Sequence, residues 1–179
     1  EAAKVGEVRI VEVIPDLQAS AGAPLFEVHG EDLEVTDELG PVPRSGNGES
    51  FTPARAVKGD LTVRYRVKVE NTPDNGGTTP IRPRIDGRGF SALGMTMLAV
   101  PETERPYRIR LLWDLSRMPA GATAVSSFGD GNVDVAAMPL SRLSRTIFMA
   151  GDLHREPPPP PKGRFSAVWS GDPGFDLKP

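Results

Sequence analysis

The chain has 179 residues, carries 21 Lys and Arg against 24 Asp and Glu for a formal charge of −3, and contains no cysteine. Disulfide frameworks, thiolate nucleophiles and Cys-ligated zinc or iron–sulfur centres are thereby excluded, and the near-neutral balance gives no global attraction to nucleic acid. No stretch without a charge exceeds 13 residues, too short for a membrane-spanning helix, so the expectation is one domain, 1–179, that does not insert into a bilayer.

Charge is uneven along the chain. Residues 1–40 hold ten acids and two bases, a net −8, which leaves +5 on the remaining 139. Period-two alternation begins at Val8-Arg9-Ile10-Val11-Glu12-Val13 and stops at Pro15, which has no N–H for a ladder. Pro24-Leu25-Phe26-Glu27-Val28-His29-Gly30 reads as a further strand. The clearest is 61–70, where Leu61, Val63, Tyr65, Val67 and Val69 share one face and Thr62, Arg64, Arg66, Lys68 and Glu70 the other. Residues 87–98 are apolar on both faces, which fits a buried central strand or a surface covered by something else. A long strand is predicted over 107–115 with Ile109, Leu111, Trp113 and Leu115 inward, and two more over 146–151 and 164–170. Turn clusters lie at 45–48, 73–77, 119–121 and 129–132, and the only helix signal is one or two turns in 139–145. The pattern predicts an all-β fold: an antiparallel β-sandwich or a large open twisted sheet, with at most one short helix.

Motifs for chemistry are sparse. His29 and His154 are the two histidines, and neither has a second imidazole one helical turn away with a Glu between, as a zinc peptidase helix requires. His154 with Asp152 and Glu156 is the one mixed set close in sequence, but alternate residues on a strand share a face without binding anything. Asp130, Asn132 and Asp134 start a calcium-loop spacing that fails at Val135 and Ser141, leaving a plain turn. Gly87-Arg88-Gly89-Phe90 lacks the strand–helix setting of a dinucleotide loop, and neither a Gly-x-Ser-x-Gly elbow nor a phosphate loop occurs. The run of five prolines at 157–161 fits a stiff connector or a proline-rich ligand.

Binding is the better prospect. Arg82, Arg84 and Arg88, with Phe90 and Met97 beside them, form the candidate interdomain or binding surface, and Arg64, Arg66 and Lys68 line a strand face. The plainer reading of the basic face is cross-strand pairing with the many acids. Trp113, Trp169, Phe90 and Tyr107 provide aromatic surface of the kind that binds sugars, although the register of Trp113 points it inward.

The order of segments resembles a known family. The early strand leads to 24–30, the strand at 61–70 and the Gly-rich apolar stretch 87–98. Arg105-Pro106-Tyr107-Arg108-Ile109-Arg110-Leu111 follows, then Met118-Pro119-Ala120-Gly121-Ala122-Thr123-Ala124-Val125-Ser126-Ser127. Together with Phe148-Met149-Ala150-Gly151-Asp152-Leu153 and the closing Phe175-Asp176-Leu177, this looks like the N-terminal domain of glycyl aminopeptidase-type zinc peptidases of the thermolysin-like clan. The proline run departs from the family's late hairpin. The resemblance implies a β domain that precedes, packs on and shapes the cleft of a C-terminal catalytic domain, which would hold the zinc and meet peptide substrate. This chain itself would carry no cofactor and no catalytic residue. A periplasmic or secreted location is favoured over a cytoplasmic one. The alternative is a stand-alone β-sandwich that binds carbohydrate or protein.

Overall fold

A computed structural model describes residues 6–69, 82–86, 89–158 and 166–171. Strands β1 (Gly6–Ile14) and β6 (Leu61–Val69) pair antiparallel along their full lengths, with Gly6 opposite Val69 and Ile14 opposite Leu61. The alternation of β6 is the reason. Leu61, Val63 and Val69 are closed to solvent and Tyr65 and Val67 nearly so, while Arg64 and Lys68 stay exposed. β3 (Glu31–Asp37) pairs with the other side of β6, and β4 (Gly40–Pro41) completes a sheet ordered β1-β6-β3-β4.

A second sheet is ordered β11 (Gly129–Asp130), β10 (Thr123–Ser126), β13 (Ile147–Gly151), β8 (Gly89–Leu93) and β7 (Arg84–Asp86). Three two-stranded ladders join β2 (Phe26–Glu27) to β5 (Ser50–Phe51), β9 (Pro106–Leu111) to β12 (Val133–Pro139), and β14 (Leu153–Glu156) to β15 (Ala167–Ser170). Every pairing described is antiparallel. The helical content among the described residues is α1 (Ser141–Ser144) and a 3-10 turn, Gly94–Thr96. The fold is all-β with one short helix, as the turn-rich, alternating sequence requires.

One apolar cluster draws on both sheets. Ile10, Ile14, Leu61, Val63 and Val69 come from the first, and Phe90, Ala92, Ala124, Phe148 and Ala150 from the second. Phe26 and Phe51 add a stacked pair with ring centroids 5.1 Å apart. Side chains of this size stabilise by about 1.5–3 kcal/mol each when fully buried.

The two longest strands that were not apparent in the sequence, β3 and β12, were hidden for physical reasons. β3 carries Glu31, Asp32, Glu34 and Asp37, a poor strand composition, and its register shifts between Glu31 and Glu34, where Asp32 adopts a positive φ of 53°. It is held by the bases of β6: Lys68 Nζ lies 2.6 Å from Glu31, and Arg66 reaches both Asp32 and Glu7, the latter at 2.9 Å. The acidic N-terminal residues and the basic strand are therefore cross-strand partners. β12 is interrupted by a shift between Val135 and Met138, which breaks its alternation. The predicted 107–115 strand is shorter, ending at Leu111, because side chains take over the ladder. Asn132 Oδ1 accepts from Trp113 N at 2.8 Å, and Asp114 Oδ1 accepts from Ser116 N at 3.0 Å.

Gly94 joins the second sheet to α1. Its N–H donates to Thr146 O at 2.8 Å, and a Cβ at this position would overlap the carbonyl oxygen of Leu143. Gly94→Ala is therefore expected to cost about 2 kcal/mol or more, read as a lower urea midpoint at unchanged slope.

Candidate functional site

In the five-stranded sheet the two faces differ sharply. Phe90, Ala92, Phe148, Ala150, Ala124 and Ser126 are buried on the core side. Register partners share a face, so Val125, Met149, Ser91 and Arg84 form one row across the opposite side, and Ile147 with Leu93 forms the next. Leu93, Met149 and Val125 are half-buried, Ile147 is 54% exposed, and Met95 in the adjoining 3-10 turn is 51% exposed. This is an apolar row with a basic border. Arg84 is half-buried with its Nε 3.2 Å from Ser91 Oγ, and Arg82 is exposed.

The residues picked from the sequence divide between the two sides. Phe90 and Met97 are buried at 5% and 6% exposure and belong to the core, so neither lines an outer surface. Both faces of 87–98 are apolar in sequence, so composition alone gave no basis for choosing between them. Arg82 and Arg84 stand at the outer border, and Arg88 lies outside the described residues. The aromatic side chains do not converge. Tyr107 is buried, Trp113 packs against Phe148 with centroids 6.2 Å apart, and Trp169 stacks on His154 at 5.8 Å.

A second feature is a polar cluster inside the core. Ile10, Glu12 and Ile14 share the inner face of β1, while Val11 and Val13 turn outward at 59% and 60% exposure. Glu12 is half-buried, with Oε1 2.5 Å from Tyr65 Oη and accepting from Ala99 N–H at 2.9 Å. Tyr65 Oη also lies 2.7 Å from the Met97 carbonyl oxygen and 3.0 Å from Ala99 N. Desolvation pushes Glu12 up to about 7, although both hydrogen bonds pull it down. Burial, and then the adjacent Glu12, drive the Tyr65 phenol above its ordinary range. The sequence left the inward side of β1 open, with Val11 and Val13 set against Ile10 and Ile14, and the pairing of β1 with β6 turns Glu12 inward.

The other titratable groups are engaged structurally. His29 is half-buried, its Nε2 3.8 Å from Glu27 Oε2, and burial lowers its imidazole against the opposing pull of Glu27. It lines an open cleft of about 380 Å³ with Glu27, Val28, Arg44, Gly48 and Glu49. The guanidinium there is committed to its own loop, donating to the carbonyls of Gly48 and Ser50. Asp134 takes a two-pronged contact from Arg108, at 2.6 and 2.8 Å, and Asp130 pairs with Arg155. Among the described residues no three His, Asp or Glu side chains converge as a metal site needs. No helix among the described residues is long and apolar enough to cross a membrane.

Comparison with known proteins gives a structural likeness alone. No protein-family model matches the chain, and no curated protein matches it. A crystal structure of an aminopeptidase N family protein from Idiomarina loihiensis superposes with a TM-score of 0.59 at 14% identity. The match covers 84% of this chain and 28% of that one, so this chain spans well under a third of its structural neighbour, and what they share is the fold.

Proposed function

We propose that this chain is the non-catalytic N-terminal domain of a glycyl aminopeptidase-type metallopeptidase, and that it packs on the catalytic domain and shapes the wall of its substrate cleft. The observation that carries the reading is the extent of the structural match: nearly all of this β fold corresponds to a minor part of an aminopeptidase N family protein. The order of sequence segments supports the same reading independently. In it, zinc and the peptide-cleaving groups belong to the catalytic domain, and this chain contributes position and shape.

The face offered to that domain is the outer row of Leu93, Ile147, Met149 and Val125, with Met95 at one end and Arg82 and Arg84 at the border. Interfaces between domains bury about 600–1,500 Å² and run more polar than a core, which suits an apolar row edged by arginines and a catalytic-domain surface with acidic residues opposite them. The test is the double variant Met95→Gln with Ile147→Asp, both more than half exposed, in the full-length protein. It is expected to lower peptidase activity and the full-length melting temperature while leaving the 179-residue chain within about 0.5 kcal/mol of its original stability. Unchanged activity and melting in the full-length protein would remove this face from the interface.

A further inference from the structure

Three oxygens and one amide meet where β1, β6 and the segment after the 3-10 turn converge, and their proton count is informative. Tyr65 Oη makes two oxygen–oxygen contacts of hydrogen-bond length, 2.5 Å to Glu12 Oε1 and 2.7 Å to the Met97 carbonyl. Each needs a proton between the two atoms. A phenol has one. With Glu12 ionised, one contact would set lone pair against lone pair in a buried setting, which is costly. With Glu12 protonated the arrangement closes: Glu12 O–H donates to Tyr65 Oη, Tyr65 O–H donates to the Met97 carbonyl, and Ala99 N–H is accepted by Tyr65 Oη at 3.0 Å and Glu12 Oε1 at 2.9 Å.

The groups facing Glu12 offer nothing else to hold a negative charge. Ile10 and Ile14 share its face on β1, Val63 stands opposite it on β6 beside Tyr65, and the third element contributes Met97 and Ala99. Tyr65 is the one titratable side chain among these, and no cation pairs with Glu12 among the described residues.

We propose that Glu12 is a neutral carboxylic acid in the folded chain, that its proton leaves the Tyr65 O–H free to hold the Met97 carbonyl as a latch, and that on deprotonation Tyr65 turns its O–H to the carboxylate, so that Met97 loses its donor while Ala99 N–H keeps its acceptor. The upward push on the carboxyl by burial agrees with the proton count. The latch does not depend on the peptidase reading. It has a surface consequence all the same, because Met97 directly follows the 3-10 turn that carries Met95, at the end of the exposed apolar row, so loss of the donor to Met97 loosens that edge.

The test uses the 179-residue chain labelled with ¹³C at glutamate carboxyls and ¹⁵N at amides. The Glu12 carboxyl carbon is expected to titrate with a midpoint at or above 6. Protection of the Leu98 amide, which donates to Gly94 O at 2.8 Å beside the Met97 carbonyl, is expected to fall at least tenfold between pH 6 and pH 9, corrected for intrinsic exchange, while that of Val63 and Ala99 holds. In Glu12→Gln, whose amide can donate to Tyr65 Oη at any pH, the Leu98 protection is expected to stay constant. A wild-type midpoint below 6 overturns the neutral carboxylic acid. Leu98 protection in the wild type that is level from pH 6 to pH 9 overturns the latch, and that reading requires no variant.

Discussion

Replacing Glu12 with Gln is expected to raise the stability of the chain at pH 8 by up to about 3 kcal/mol and to flatten its dependence on pH between 5 and 8. The direction follows from the proton balance. Glu12 has an ordinary carboxyl value near 4.5 in the unfolded chain and about 7 when buried beside Tyr65. Between those values the native state holds a proton that the unfolded state has lost, so wild-type stability falls as pH rises. The contribution is complete below about 4.5 and gone above about 7. Gln keeps the shape, donates to Tyr65 Oη and has no charge to desolvate, so the penalty at pH 8 disappears. Urea titrations of both proteins at pH 5, 6, 7 and 8 measure it. The two curves should lie close together at pH 5 and separate with increasing pH. Parallel curves, or a Gln variant less stable at pH 8, would mean that Glu12 is ionised and stabilising in the fold.

Asp37→Ala is the second large effect, a loss of about 3 kcal/mol. Asp37 ends β3 with its side chain closed to solvent and takes four donors. Arg55 supplies two, at 2.6 and 2.7 Å, and the backbone amides of Leu39 and Lys58 supply the others, at 2.8 and 2.9 Å. Arg55 in turn donates to the carbonyls of Gly40 and Pro41, so one carboxylate organises the β3–β4 turn and the 55–58 loop together. The hydrogen bonds from Arg55, and then those from the two amides, hold the Asp37 carboxyl well below the ordinary range. Its stabilising contribution is therefore present above about pH 4 and shrinks as pH falls further and the unfolded chain takes up protons first. Thermal melts of wild type and Asp37→Asn at pH 7 and pH 3 check the sign: the gap should narrow at the lower pH. A gap of the same size at both would assign the effect to shape and not to charge.

How much of this was visible in the sequence depends on the face considered. β6 was fully legible, because its alternation is unbroken and its polar face contains no ambiguous residue. β1 was half legible: its extent was clear, yet Val11 and Val13 compete with Ile10 and Ile14 for the inward side, and only pairing with β6 turns Glu12 into the core. β3 was hidden by its own acids and a bulge, and its partner's bases, not apolar periodicity, hold it in the sheet. The apolar residues chosen from 87–98 for the candidate contact surface, Phe90 and Met97, are buried. Where a strand is apolar on both sides, as in 89–93, the sequence carries no sign of which face the core will cover, and Phe90 went to the core while Leu93 stayed outside.

The most direct measurement is the intact mass and zinc content of the native gene product isolated from its source. The account predicts a protein several times heavier than the 19.2 kDa of this chain, with about one zinc per molecule in a catalytic domain of its own. A metal-free product near 19.2 kDa would contradict it and leave a free-standing β domain whose ligand is to be sought elsewhere.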